Sequence, residues 1–138
     1  MKSKFRLISF LLLIGIVGLA RADFDDGLNA YKKGNYASAL AEWLPIAQKG
    51  VTEAQYNLAG MYAKGYGVKI NDEQAVFWYK KAAEQGHGRS QYNLGVMYLI
   101  GSGTEKSIEN AKHWLHLAYE NDIDEAETLW NQHELWNY

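Results

Sequence analysis

A phrase of seven residues occurs twice in this chain, and its spacing limits the folds that the sequence can adopt. The stretch YNLAGMY begins at Tyr56 and returns as YNLGVMY at Tyr92, which is 92 − 56 = 36 residues later. The same offset relates Trp78 to Trp114, Ala75 to Ala111, Ala82 to Ala118, Gly65 to Gly101 and Gly67 to Gly103. A period of this length is typical of arrays in which each unit is a pair of helices that stacks on its neighbours.

An earlier and shorter copy of the unit runs from Ala30 to Gly50 and aligns Trp43 with Tyr79. Its interhelical turn is five residues shorter than the turn in the two later copies. The sequence therefore predicts one repeat domain over 23–138, with repeats near 23–50, 51–86 and 87–122 and a C-terminal cap over 123–138.

The apolar period within each unit is that of an α-helix. Ala54, Leu58 and Met61 fall at i, i+4 and i+7 on one helical face. Glycine pairs interrupt the pattern, and Asn71 or Asp72 and Ser107 are suitable N-caps for the helices that follow. The second helix of the middle unit is predicted to bury Ala75, Trp78, Tyr79, Ala82 and Ala83. We predict an all-α protein with seven helices, near 24–33, 36–49, 53–64, 72–85, 89–100, 107–120 and 124–136.

The first 22 residues have the pattern of a secretory signal peptide. Three basic residues precede an apolar run over 7–19, and Ala20-Arg21-Ala22 places small residues at the positions that a signal peptidase requires. The apolar run is shorter than the roughly 20 residues that a membrane-spanning helix needs. We therefore predict a signal peptide over 1–22, cleaved after Ala22, and a periplasmic or secreted mature chain.

Charge and cysteine content exclude several classes of function. The four basic residues of 1–22 leave on cleavage, so the mature chain has 14 − 4 = 10 basic and 16 acidic residues, a net charge of −6. A surface of that sign does not favour nucleic acid or an anionic membrane. The chain has no cysteine, which excludes disulfides, a lipoprotein anchor and thiolate metal sites.

The stretch AQYNLAGMYAKGYGVKINDEQAVFWYKKAAEQGH resembles the consensus of the Sel-one-like repeat (SLR) family, a branch of the tetratricopeptide-repeat superfamily. The unit at 53–87 is similar throughout, whereas GSGTEKSIEN in the unit at 89–123 lacks the usual hydrophobic residue after its second glycine. The resemblance implies a right-handed α-solenoid of antiparallel helix pairs. It also implies a small secreted or periplasmic bacterial adaptor or scaffold, which binds a protein or peptide and needs no cofactor.

In related solenoids the first helix of each pair lines a concave groove. Transferred to this chain, the groove positions are Asp25, Asn29, Lys32, Tyr56, Gly60, Lys64, Tyr92, Val96 and Leu99. Tyr56 and Tyr92 would be aromatic anchors for a partner, because tyrosine offers contact area and a hydrogen bond at low entropic cost. The alternative is that both rings cover the seam between neighbouring repeats.

One helix face has the spacing of a metal site. Glu109, His113, His116 and Glu120 follow one another at intervals of 4, 3 and 4 residues. The equivalent face one repeat earlier is charged and opposite the core, so we interpret this one as solvated and predict no metal ion. The stretch HELW at His133 starts like a zinc-protease motif, but it lacks the second histidine.

The aromatic C-terminus has two interpretations. Leu129 and Trp130 are predicted to cap the array, because an uncapped repeat leaves an apolar end exposed. Trp136 and Tyr138 could also form a docking tail. Self-association through an exposed apolar edge stays open.

Two classes of function remain. The first is an extracytoplasmic adaptor that binds a protein or peptide segment in its groove. The second is a weak hydrolase or penicillin-binding activity, as attributed to cysteine-rich relatives. The chain has neither their cysteines nor a Ser-x-x-Lys or Gly-x-Ser-x-Gly motif, so we predict that it is not an enzyme.

Overall fold

The computed structural model describes residues 23–135, and these residues form seven helices and no strand. The predictions for 1–22, Trp136 and Tyr138 concern positions outside the described residues. The helices are α1 over 23–32, α2 Tyr36–Gln48, α3 Thr52–Lys64, α4 Asp72–Glu84, α5 Gly88–Ile100, α6 Ile108–Glu120 and α7 Asp124–Gln132. All seven predicted helices are confirmed, and only α7 ends clearly earlier than expected, because the chain turns at His133 and Glu134.

The helices begin and end at the predicted N-caps and glycines. The side chains of Asn71 and Ser107 each accept a hydrogen bond from the backbone N–H three residues later, which caps α4 and α6. Gly65 and Gly101 end α3 and α5 in the left-handed conformation, with φ of +71° and +75°. The cap of α5 was not predicted: it is His87, whose Nδ1 accepts from the backbone N–H of Ser90.

Helix pairs pack through the faces that the period predicts. Ala75, Trp78, Tyr79, Ala82 and Ala83 of α4 are all buried, as expected. Small residues allow close approach between the paired helices: a Cβ on Gly95 of α5 would lie 2.7 Å from Cγ of Leu115 in α6. The result is an all-α solenoid in which each helix from α2 to α6 packs against the next along the chain.

The glycine loops join each repeat to the one before it. Gly67, in the loop between α3 and α4, packs against the first turn of α2, and a Cβ there would lie 2.8 Å from the carbonyl carbon of Tyr36. Gly103, one period later, packs in the same way against the backbone of Asp72 at the start of α4. The second glycine of each loop is therefore needed for contact between repeats as well as for the turn.

The residue before the second glycine of each loop also contacts the preceding repeat, and the type of contact differs between the two loops. The ring of Tyr66 stacks on the ring of Tyr36 with centroids 4.5 Å apart and an interplanar angle of 11°. At the equivalent place Ser102 Oγ donates a hydrogen bond of 2.6 Å to Asp72 Oδ2.

Buried glutamines form a second set of bridges between repeats. Gln55 Nε2 donates to the carbonyl of Ala47 in the preceding repeat at 3.0 Å, and its Oε1 accepts from Gln85 Nε2 at 2.8 Å. Gln91 repeats this arrangement with the carbonyl of Ala83 and with Asn121 Nδ2. Each amide thus satisfies polar groups that the junction removes from water.

The C-terminal segment closes the apolar end of the array. Leu129 and Trp130 are half-buried against a cluster that includes Leu115 and Ala126, which confirms the predicted cap. Leu135, after the turn, is fully buried in the same cluster. Among residues 23–135, no helix has the length and apolarity that a membrane crossing requires.

Candidate functional site

A cavity of about 370 Å³ opens on the side of the array formed by the first helix of each pair, and we call it the A-helix groove. Helices α1, α3 and α5 supply its walls, while α2 and α4 each supply one aromatic residue. The lining residues are Leu28, Tyr31, Trp43, Tyr56, Asn57, Gly60, Lys64, Tyr79 and Asn93.

Two buried aromatic residues from the second helices form a fixed part of the lining. Trp43 is 1% exposed, and its Nε1 donates to the carbonyl oxygen of Phe24 at 3.1 Å. Tyr79, aligned with Trp43 by sequence, is also buried and hydrogen bonds to the side chain of Asn93. Burial raises the pKa of Tyr79 to about 12, the nearby Tyr56 adds to the shift, and the bond to Asn93 opposes it.

Tyr56 belongs to the groove and to the seam between repeats at once. Its half-buried ring lies 5.9 Å from the ring of Tyr79 and 4.7 Å from the imidazole of His87, centroid to centroid. His87 begins the next repeat, so the same ring that lines the groove also covers the junction. The ring therefore covers the seam and also lines the groove, and its role as an anchor for a partner stays a prediction.

His87 is held as a neutral hydrogen-bond acceptor at this junction. Burial lowers its pKa, and Arg89 acts in the same direction, while Glu53 opposes the shift. Its Nδ1 also lies 2.8 Å from Ser90 Oγ. A neutral ring suits this position, because a proton on Nδ1 would remove the acceptor that caps α5.

The rim of the groove carries one charged side chain. The Lys64 ammonium lies 5.8 Å from the centroid of the Tyr66 ring, a cation–π distance. Among the residues that the structure describes, no aspartate, glutamate, histidine, serine or threonine lines the groove. Asn57, on the same helix, makes no side-chain hydrogen bond to another described residue. The arrangement can offer hydrogen bonds and one positive charge, but no general base.

The structure brings only some of the predicted groove residues together. Tyr56, Gly60 and Lys64 line the groove, whereas Asp25, Asn29 and Lys32 are exposed and lie outside the lining. Their neighbours Leu28 and Tyr31 occupy the α1 side.

Predictions for the third repeat need correction. Leu99 was predicted at an exposed groove position, but it is 5% exposed in the C-terminal core cluster. The residue one period after Lys64 is Ile100, which is 65% exposed, so the alignment was wrong by one residue. Tyr92 and Val96 are half-buried outside the lining, and Tyr92 packs against the same C-terminal cluster as seam cover.

Sequence reasoning missed the amides of the groove. Asn57 and Asn93 are one period apart, so their recurrence was a visible signal. The period aligned Trp43 with Tyr79 but did not predict that Tyr31 or Trp43 lines a groove, because α1 and α2 depart from the period of the later repeats.

The face of α6 that has metal-ligand spacing is solvated, as predicted. Glu109, His113, His116 and Glu120 are all exposed, and His116 Nε2 lies 3.4 Å from Glu120 Oε1 as an ordinary i, i+4 pair. Within 23–135, no group of three histidine or acidic side chains is arranged to hold a metal ion. His133 of the HELW stretch is exposed as well.

Two consecutive segments of the chain, 52–87 and 88–123, match the Sel1 repeat family, and together they cover slightly more than half of its 138 residues. These segments coincide with the second and third repeats. Among curated proteins, the exopolysaccharide production negative regulator of Rhizobium meliloti is 41% identical over 60 residues, which is 44% of this chain and 22% of the regulator.

Solved structures show the same architecture. A Sel1 repeat protein from Oxalobacter formigenes superposes with a TM-score of 0.70 and 36% identity over 74% of this chain and 42% of that protein. A protective antigen of uropathogenic Escherichia coli, which has an SLR fold, gives a TM-score of 0.73 and 35% identity over 86% of this chain and 26% of the antigen. The chain thus spans less than half the length of each of these relatives.

Proposed function

This chain belongs to the Sel1 repeat family, whose members are protein-interaction modules, and from that membership we propose that it is an extracytoplasmic adaptor that binds a protein segment in the A-helix groove. The observation that carries the proposal is the lining itself, in which fixed aromatic residues lie beside Lys64 and beside Asn57, whose amide has no partner among the described residues. Buried aromatic anchors surrounded by adaptable polar contacts are the usual composition of a recognition surface.

The rigidity of the groove supports this role. Trp43 is tied to α1 by its hydrogen bond to Phe24, and Tyr79 is tied to α5 by Asn93. A surface held in its bound shape loses less conformational entropy when a partner binds. An extended segment laid across α1, α3 and α5 would meet side chains from three helices at little ordering cost.

The extracytoplasmic location is part of the proposal and rests on the sequence of 1–22. A basic start, an apolar run and Ala20-Arg21-Ala22 form a signal-peptide pattern. The absence of cysteine from the whole sequence agrees with a fold stabilised by packing alone.

The alternative of a weak hydrolase receives no support from this groove. Hydrolysis needs a nucleophile or a general base close to the scissile bond. The lining offers tyrosine, asparagine and one lysine, and the pKa of Tyr79 is raised rather than lowered, which disfavours a phenolate nucleophile.

Site-specific crosslinking of the mature protein in its native envelope fraction tests the proposal. A photoreactive residue is placed at Asn57, inside the groove, and in a second variant at Tyr119, which is 49% exposed on α6. We expect a discrete crosslinked protein from the first variant and not from the second. The same partner from both positions, or from neither, would contradict a groove-binding adaptor.

A second experiment uses Tyr56→Ala to test whether the crosslink at Asn57 depends on the Tyr56 ring. Tyr119→Ala is its matched control. We expect the first substitution to abolish the crosslink at Asn57 and the second to preserve it. Because Tyr56 also covers a junction, circular dichroism must show that Tyr56→Ala is folded at the assay temperature. Tyr56→Phe, which keeps the ring, is expected to remain folded and to retain most of the binding.

A further inference from the structure

We infer that the A-helix groove selects an extended peptide segment with a carboxylate placed against Lys64. This inference rests on the proposed function, and it adds the chemical class of the partner. It comes from three features of the lining: its charge, the ammonium group of Lys64 and the amide of Asn57.

The charge of the groove is opposite to that of the rest of the domain. Residues 23–135 carry 10 basic and 16 acidic side chains, since all four remaining basic residues of the sequence lie in 1–22. Within 23–135, the groove lining nevertheless contains one cation and no acidic side chain. An acidic ligand would therefore be repelled by most of the domain surface and attracted to the groove. This charge distribution would determine where the ligand binds as well as how tightly it binds.

The Lys64 ammonium is available for an ion pair. The ion pairs between Arg89 and Glu125 and between His116 and Glu120 do not use this lysine. Its one recorded contact is the face of Tyr66, which keeps the ammonium at the rim without neutralising it. A ligand carboxylate there would gain a charge-assisted hydrogen bond beside an aromatic surface.

Asn57 explains why the rest of the ligand is a peptide backbone. A primary amide offers two donors and an acceptor, which matches the alternating C=O and N–H groups of an extended chain. The Asn57 amide lies two helical turns before Lys64 and has no partner among described residues, whereas the Asn93 amide is engaged by Tyr79. Tyr31 and Tyr56, in the same lining, supply apolar surface for the ligand's side chains.

A polyanion fits the same surface poorly. Nucleic acid or an acidic polysaccharide carries charge along its whole length and needs several cations in a row. The groove supplies one, and the surrounding domain has a net charge of −6. A single carboxylate on an otherwise neutral segment is the ligand that this distribution accepts.

The test uses two immobilised libraries of randomised nonapeptides, one with a central Asp or Glu and one with Asn or Gln at the same position. The mature protein is applied to both, and polygalacturonate serves as the polyanion probe. We expect the acidic library to be bound about tenfold more tightly than the neutral one, and polygalacturonate not to compete. Raising the salt concentration should reduce the preference.

Lys64→Gln is the decisive variant, because it removes the charge while keeping a polar side chain of similar length. We expect it to abolish the preference, so that the variant binds the acidic and the neutral library with similar affinity. Lys80→Gln, an exposed lysine on α4 outside the groove, is the matched control and should keep the preference.

The outcomes separate this inference from the proposal on which it rests. Equal binding of both libraries, lost in Tyr56→Ala, would overturn the acidic preference and leave the groove-binding adaptor standing. No binding of either library would overturn both. Competition by polygalacturonate would assign the surface to anionic glycans instead of peptides and would also overturn the inference.

Discussion

His87 accepts the hydrogen bond that begins α5, and its ring lies 4.7 Å from the ring of Tyr56 in the A-helix groove. One titratable side chain therefore caps a helix of the third repeat and supports an aromatic residue of the second. Because Nδ1 must be unprotonated to act as the acceptor, the stability of this junction depends on pH.

Acidification is expected to destabilise the junction. Folding lowers the pKa of His87, so below its unfolded value of 6.5 the unfolded chain binds a proton that the folded chain does not. The contribution of His87 to the free energy of unfolding is complete above pH 6.5, declines as the pH falls below that value and is lost once the pH is below the folded pKa. Urea denaturation followed by circular dichroism between about pH 8 and about pH 5 measures it.

His87→Asn is the informative variant, because asparagine caps a helix without titrating. We expect a shallower pH dependence than in the wild type, while His133→Asn, an exposed histidine, keeps the full slope. An unchanged slope in His87→Asn would show that another group controls the acid response.

Gly103→Ala is expected to be far more destabilising than Gly34→Ala, although φ is positive at both positions, +67° and +76°. A methyl group at Gly103 would overlap the backbone of Asp72, whereas nothing lies within 4 Å of a methyl group at Gly34. We expect Gly103→Ala to lower the free energy of unfolding by about 3 kcal/mol or more and Gly34→Ala to lower it by about 1 kcal/mol. Similar losses in chemical denaturation would mean that the loop does not dock on the preceding repeat.

Gln91→Leu removes a buried bridge at almost constant volume. Gln91 is 3% exposed, and the substitution leaves Asn121 without its partner on α5. A loss of about 1–3 kcal/mol is expected in thermal or chemical unfolding. Gln74→Leu, at an exposed position of α4, serves as the control and should change stability by less than about 0.5 kcal/mol. A Gln91→Leu variant as stable as the wild type would argue against the bridge.

Alkaline pH is expected to act through Tyr79. Its pKa rises from 10.0 in the unfolded chain to about 12 in the folded one, so stability is complete below pH 10 and declines as the pH rises toward 12. The full decline corresponds to about 3 kcal/mol. Tyr79→Phe should flatten this part of the pH profile of unfolding, and Tyr119→Phe, which alters an exposed tyrosine, should not. A pH titration of the native protein, followed by phenolate absorbance, should show a tyrosine that ionises at higher pH than an ordinary one. This ionisation should be missing in Tyr79→Phe.

The period predicted the helices and the core well, because burial recurs in every repeat for the same geometric reason. Trp43 was aligned with Tyr79 from the sequence, and both line the A-helix groove. The error at Leu99 is a shift of one residue, which rotates a side chain by about 100° around the helix. That rotation separates buried Leu99 from exposed Ile100.

The polar contacts between repeats could not be derived from periodicity. Gln55 and Gln91 recur at the period, but a recurring glutamine does not reveal whether its amide meets water or the carbonyl of a preceding helix. The same holds for His87, whose role as a helix cap depends on its placement against Tyr56 and Ser90. Such contacts depend on how neighbouring repeats pack against each other, and the periodicity of the sequence does not specify that packing.

The two loop junctions also affect how such an array evolves. Tyr66 meets Tyr36, and Ser102 meets Asp72, so each junction has its own matched pair and each pair is divided between two repeats. Gene duplication copies one repeat as a block and would carry a loop to a neighbour that lacks its counterpart. A new unit inserted between these repeats would need a compensating change in the adjacent one. The matched pairs therefore restrict changes in the order of the repeats.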